Sequence, residues 1–356
     1  MVIKLNVQMK TIFFISFMAL IACSRGGSGG GGEQPPKADT TFTNPLLSSG
    51  PDPWVLQKDG YYYFMRTLGN RLAISKTQYL DKLSNASPVT VWTPPAGMAW
   101  STDIWAPELH FVNNKWYIYF AADSAGINST HRIYVLENAA ADPMNVGTWV
   151  FKGKLMETAD KWAIDATIFT YNGSNYAAWS GWQGNSDGEQ DIYIAKMQDA
   201  YTLGSRVLIS KPTYPWEKIS TNVFVNEGPE ALFNSSGNLF LTYSANGCWT
   251  DDYCLGMLTL KPGGDPLNAA DWTKSANPVF TKNTSGNAFG PGHNGFFKSP
   301  DGKEDWIIYH ANSASGQGCG DQRNPRMQKV GWNTDGTPNF GVPVGTGVQI
   351  KKPSGE

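Results

Sequence analysis

One pattern recurs five times along this 356-residue chain, at a period of roughly 60 residues, and a period of that size limits a chain to a few repeat architectures. Each copy has a polar or aromatic opening, a short apolar strand, a tight turn, an aromatic strand, a variable loop and a third strand. The first opens Asp52-Pro53-Trp54-Val55-Leu56, turns at Asp59-Gly60 and continues Tyr61-Tyr62-Tyr63-Phe64-Met65. The second runs from Trp105-Ala106-Pro107-Glu108-Leu109 through Asn113-Asn114 to Trp116-Tyr117-Ile118-Tyr119-Phe120. The third opens Ile164-Asp165-Ala166 and turns at Asn172-Gly173; the fourth opens Glu227-Gly228-Pro229-Glu230 and turns at Ser236-Gly237. The fifth opens Gly292-His293-Asn294-Gly295 and turns at Asp301-Gly302. Apolar runs split by Asp-Gly or Asn-Gly are hairpin signals. Repeated antiparallel units of this size predict an all-β fold, a five-bladed β-propeller. The segment near Asn339–Ile350 is expected to close the ring by joining strand material from the N-terminal side.

A propeller places equivalent positions of every blade at one height around one axis. The openings should therefore bring Asp52, Trp105, Asp165, Glu227 and His293 together at one mouth of the channel. Like charges so gathered raise a carboxyl pKa, which a general acid needs, and an indole offers a flat apolar wall to a sugar ring. Paired carboxylates suit glycoside hydrolysis. No Walker A sequence and no His-Glu-x-x-His motif is present. A formal net charge of −2 with 16% charged residues argues against a nucleic-acid binder.

Residues 11–22 form the one long apolar run, preceded by Lys4 and Lys10 and followed by Cys23. That is the length of a signal-peptide core and too short to span a bilayer. Leu20-Ile21-Ala22-Cys23 resembles a bacterial lipobox, so residues 1–22 read as a lipoprotein signal peptide. Residues 23–39 read as the lipidated Cys23 with a Gly-rich tether, and 40–356 as the propeller. The expectation is an exported, membrane-anchored monomer whose only membrane contact is its lipid. Of the other cysteines, Cys248 and Cys254 flank a short acidic loop and are placed to pair, with Cys319 as odd thiol or alternative partner.

The openings, with Pro51-Asp52-Pro53-Trp54, Trp105-Ala106-Pro107-Glu108-Leu109, Ile164-Asp165-Ala166, Glu227-Gly228-Pro229-Glu230 and Gly290-Pro291-Gly292-His293, resemble glycoside hydrolase family 43 over about residues 40–350. The resemblance implies an inverting enzyme in which Asp52 is general base, Glu227 general acid and Asp165 the residue that orients the acid. Glu230 is a rival for the acid, and Glu108 and Asp103 read as structural. Trp105 would stack at the sugar ring, and Trp182 is a candidate for the leaving-group side. His293 would help bind substrate or hold a calcium ion through water; the chemistry itself needs no cofactor. The segment Cys319-Gly320-Asp321-Gln322-Arg323-Asn324-Pro325-Arg326 is similar to exo-acting arabinofuranosidases of the family, in which an Arg opening the last blade's third strand reaches the pocket. By position that is Arg326. The implied function is release of terminal α-L-arabinofuranosyl residues from plant cell-wall arabinan or arabinoxylan. A β-D-xylosidase or an endo-arabinanase is the alternative within the family, and a non-catalytic sugar-binding surface lipoprotein the alternative outside it.

Overall fold

The computed structural model describes residues 40–156, 158–186, 188–219 and 223–356; the expected signal peptide, the expected lipidation at Cys23 and the expected tether fall outside the described residues. The sheets are the expected blades. Four have four strands and the fifth has three, each an antiparallel meander in chain order. The first strands of the blades are Trp54–Lys58, Thr102–Val112, Ala163–Tyr171, Asn226–Phe233 and Phe289–Lys298. Each packs against the first strands of the blades on either side, and the fifth meets the first, so these strands line the axis and the ring is closed.

Why the strands read as nearly unbroken apolar runs is plain from the packing. Each sheet is covered on both faces by neighbouring blades, so alternation of apolar and polar residues gives way to continuous burial. Each of the five blade junctions holds an apolar core. Tyr119, Val135, Ala177 and Trp179 belong to the junction of the second and third blades, and Phe64, Trp306, Ile308 and Met327 to that of the first and fifth. The turns Asp59-Gly60, Asn113-Asn114 and Asn172-Gly173 have positive φ at both residues. That is the backbone twist a two-residue hairpin loop requires, and Asn, Asp and Gly reach it most readily.

Ring closure comes from the chain's two ends. Thr41–Phe42 pairs antiparallel with Ile350–Lys351, as the sequence leads one to expect. The segment after it takes the place of a fourth strand in the last blade. The N–H groups of Leu46 and Gly50 donate to the carbonyls of Pro325 and Arg323, both at 2.8 Å. Asn44 adds a two-way clasp: its Nδ2 donates to Met327 O and its Oδ1 accepts from Met327 N, both at 3.0 Å.

Candidate active site

The first strands do not run smoothly past the axis. Four of them carry a register shift near the opening motif, and a residue with left-handed backbone sits there. These residues are Ala106 (φ 41°), Asp165 (58°), Gly228 (53°) and His293 (45°), and Asp52 (52°) holds the same conformation just before its strand. Bulges re-aim side chains at the rim of a sheet. Here they turn the openings toward a cavity of about 690 Å³, lined by Asp52, Trp105, Asp165, Glu227 and His293 among others. The sequence alignment of openings is one residue out in two blades: Trp105 and Glu227 precede the left-handed residue, whereas Asp52, Asp165 and His293 occupy it.

The three carboxyls are buried, and their surroundings treat them differently. Burial alone would raise Asp52, but the Arg323 guanidinium donates to its Oδ1 at 2.6 Å and holds it well below the usual carboxylate range. His293 Nδ1 and His310 Nδ1 both lie 3.4 Å from that same oxygen. Burial lowers the pKa of both imidazoles, and His310 Nδ1 accepts the Asp52 N–H at 3.1 Å, so Arg323 is the cation of this group. Glu227 is pushed up to about 7, chiefly by burial and against the Tyr253 hydroxyl that donates to its Oε1 at 2.8 Å. Asp165 is raised well above the usual carboxylate range by burial and by the charges of Glu227 and Asp52, while its Oδ2 accepts the Gly228 N–H at 3.1 Å. A carboxyl held ionised and another that keeps its proton up to about neutral pH face one cavity, as acid–base chemistry needs.

The family model of the glycosyl hydrolases family 43 matches residues 42–338. The chain belongs to family 43. A relative from Streptomyces avermitilis, an extracellular exo-α-(1→5)-L-arabinofuranosidase, is 42% identical over 94% of this chain and 70% of its own length. α-L-Arabinofuranosidase 43 of Humicola insolens is 37% identical over 86% of this chain, which spans 64% of that relative. Among solved structures, an α-L-arabinofuranosidase from Lactobacillus brevis superposes with a TM-score of 0.81 at 37% identity, covering 86% of this chain and 98% of that one. As a family 43 member the chain is a glycoside hydrolase, with the acidic cluster at its cavity.

Not every expected residue of this family 43 site lies where the sequence puts it. Trp105 lines the cavity and stacks on His131, ring centroids 4.0 Å apart. Trp182 also lines it but is only 3% exposed, stacked flat on Trp162 at 4.5 Å. Arg326 is a correction. It is fully buried away from the cavity, bonded to Asn324 Oδ1 and the carbonyl of Asn287, because it sits inside the strand Asn324–Lys329. Arg323, in the turn before that strand, reaches the cavity instead. Of the cysteine pairings left open by the sequence, the structure takes the one with Cys319: Cys248 pairs with Cys319, and Cys254 is a buried free thiol. Cys254 opens a core strand opposite Ala245, whereas Cys248 and Cys319 both lie on loops at the cavity. Glu230 does not compete with Glu227. It is buried outside the cavity lining, accepts from Thr167 Oγ1 at 3.3 Å and is held at about 8, mostly by burial.

Ligand atoms of Asp165, Glu227 and His293 lie within 4.8 Å of one another, close enough to hold a metal ion. Two carboxylates and one imidazole are fewer oxygens than the six to eight calcium takes, so water would have to complete its shell. Sequence reasoning missed Arg323, Tyr253 and His310. His310 carries one signal, a lone imidazole at the end of the apolar strand Asp305–Asn312.

Proposed function

We propose that the protein is an inverting α-L-arabinofuranosidase that removes terminal arabinofuranosyl residues from arabinan or arabinoxylan. The observation that carries the catalytic part is that Asp52, bonded to the Arg323 guanidinium, and the buried Glu227, bonded to the Tyr253 hydroxyl, line one cavity. Asp52 takes a proton from water, and the water oxygen bonds to the anomeric carbon from the face opposite the leaving group. Glu227 gives its proton to the glycosidic oxygen as the C–O bond breaks, so configuration inverts. Asp165 accepts the Gly228 N–H and so holds the backbone beside Glu227 in place. Trp105 gives the sugar ring an apolar wall. The arabinofuranosyl preference is supported by the names of the relatives above.

Lipid attachment at Cys23 and export rest on the residues before 40. A calcium ion held through water near His293 would be structural, and no step above runs through it. A melting curve after chelation tests that ion: a rise on adding calcium back supports it, and coincident curves refute it.

The deciding assay sets aryl α-L-arabinofuranoside beside aryl β-D-xyloside, with Glu227→Ala as blank. Release from the arabinofuranoside alone is expected. Release from the xyloside alone would replace the substrate while keeping the carboxylate roles. Activity in Glu227→Ala equal to wild type would reject the acid assignment.

A further inference from the structure

Among the cavity's tryptophans, Trp162 and Trp182 stack on each other and Trp105 stacks on His131. Trp249 is set apart by its exposure, 51% at the cavity lining against 3% for Trp162 and Trp182. A large half-exposed indole on a loop would ordinarily be mobile, yet this loop is tied from several sides. Thr250 N–H donates to Gly247 O at 2.9 Å, and Asn246 Nδ2 donates to the carbonyls of Trp216 and Asp252, both at 2.9 Å. Asp251 Oδ1 accepts from Gly316 N at 2.9 Å. Cys248, next to the tryptophan, is bonded to Cys319. The ring lies so close over Gly247 that a Cβ there would come within 2.1 Å of the indole carbons, so only glycine permits this position. An exposed aromatic side chain is thus held in one place by a disulfide, a glycine and a hydrogen-bonded turn, which is how a binding platform is preorganised.

The chemistry says which part of a substrate it meets. Four residues on, the same loop ends at Tyr253, whose hydroxyl holds Glu227. The acid protonates the leaving oxygen, so the loop that supports the acid lies on the leaving-group side. We propose that Trp249 is the stacking platform for the sugar ring next to the cleaved bond on the leaving-group side, and so sets a preference for chains over small glycosides. Trp182, nearly covered by Trp162, has little surface to offer that sugar. The ligand class is a pentose unit of a polysaccharide, which presents a C–H face to the indole. This inference rests on the hydrolase reading above.

The test compares kcat/KM for α-1,5-linked arabinotriose with that for methyl α-L-arabinofuranoside, which has no second ring. In Trp249→Ala the ratio of the two should fall about tenfold, a size that aromatic stacking can supply, mainly through KM for the triose. Trp249→Phe should recover most of it. An unchanged ratio, or equal loss on both substrates, overturns the proposal. A binding arm titrates arabinotriose into Glu227→Gln with and without Trp249→Ala, each variant checked by melting curve. If wild type cleaves neither glycoside, the arabinofuranosidase reading falls and this arm decides on Trp249: weaker binding by about tenfold supports it, and equal binding overturns it.

Discussion

Asp52 and Glu227 share a cavity, and what separates their proton affinities is the company each keeps. Removing the proton donor as Glu227→Gln should lower kcat by about 10²–10⁴ on a substrate with a poor leaving group, as read in a steady-state assay. The alkaline limb of the pH profile should fall near 7, where Glu227 loses its proton. Tyr253 stabilises the charged form of Glu227, so Tyr253→Phe should raise that pKa and carry the alkaline limb to higher pH. Arg323 stabilises the charged form of Asp52, so Arg323→Gln should move the acidic limb upward, toward neutral pH. A pH–kcat/KM profile of each variant checks the direction. Much of this site was legible from residues alone, because a repeat makes Asp52, Asp165 and His293 equivalent although they are far apart in the chain. Arg323 was not. It lies 271 positions from Asp52, and choosing it over Arg326 depends on where the last blade's third strand begins, which two arginines three residues apart do not reveal.

At the level of strands and loops, the bulges are what carry polar side chains from an apolar ring into the cavity. Hairpins and blade order could be read from Asp-Gly and Asn-Gly turns between aromatic runs, but which residue of each opening takes the left-handed conformation depends on neighbours in other blades. Gly228 shows this. Its φ is 53°, and a Cβ would sit 3.3 Å from the His293 ring. Gly228→Ala should therefore cost about 1–2 kcal/mol in backbone strain, seen as a lower Tm, and should reduce kcat by displacing the amide that holds Asp165. The disulfide is a second element the linear sequence could not pair. Cys248 and Cys254 are near neighbours, yet strand geometry takes Cys254 into the core. Cys248 pairs across 71 residues, which on a chain-entropy argument restrains the unfolded state by about 4 kcal/mol. The double change Cys248→Ser with Cys319→Ser should lower the urea midpoint accordingly.

For the molecule as a whole, stability depends on five blade junctions, and the junction of the fifth blade with the first is completed by a segment from the other end of the chain. Asn44 ties that segment to the last blade through both main-chain groups of Met327. Asn44→Ala leaves the buried N–H and C=O of Met327 without partners, at about 2–4 kcal/mol for the two groups, and equilibrium denaturation should show the loss with the disulfide intact. Because Thr41 lies opposite Lys351, the beginning and end of this domain stand side by side. A ring whose ends touch has no natural first blade. Joining them with a short flexible linker and opening the chain at the exposed Asn113-Asn114 turn should give a circular permutant that folds to the same ring, with the cavity assembled from the same five strands in a new order of synthesis.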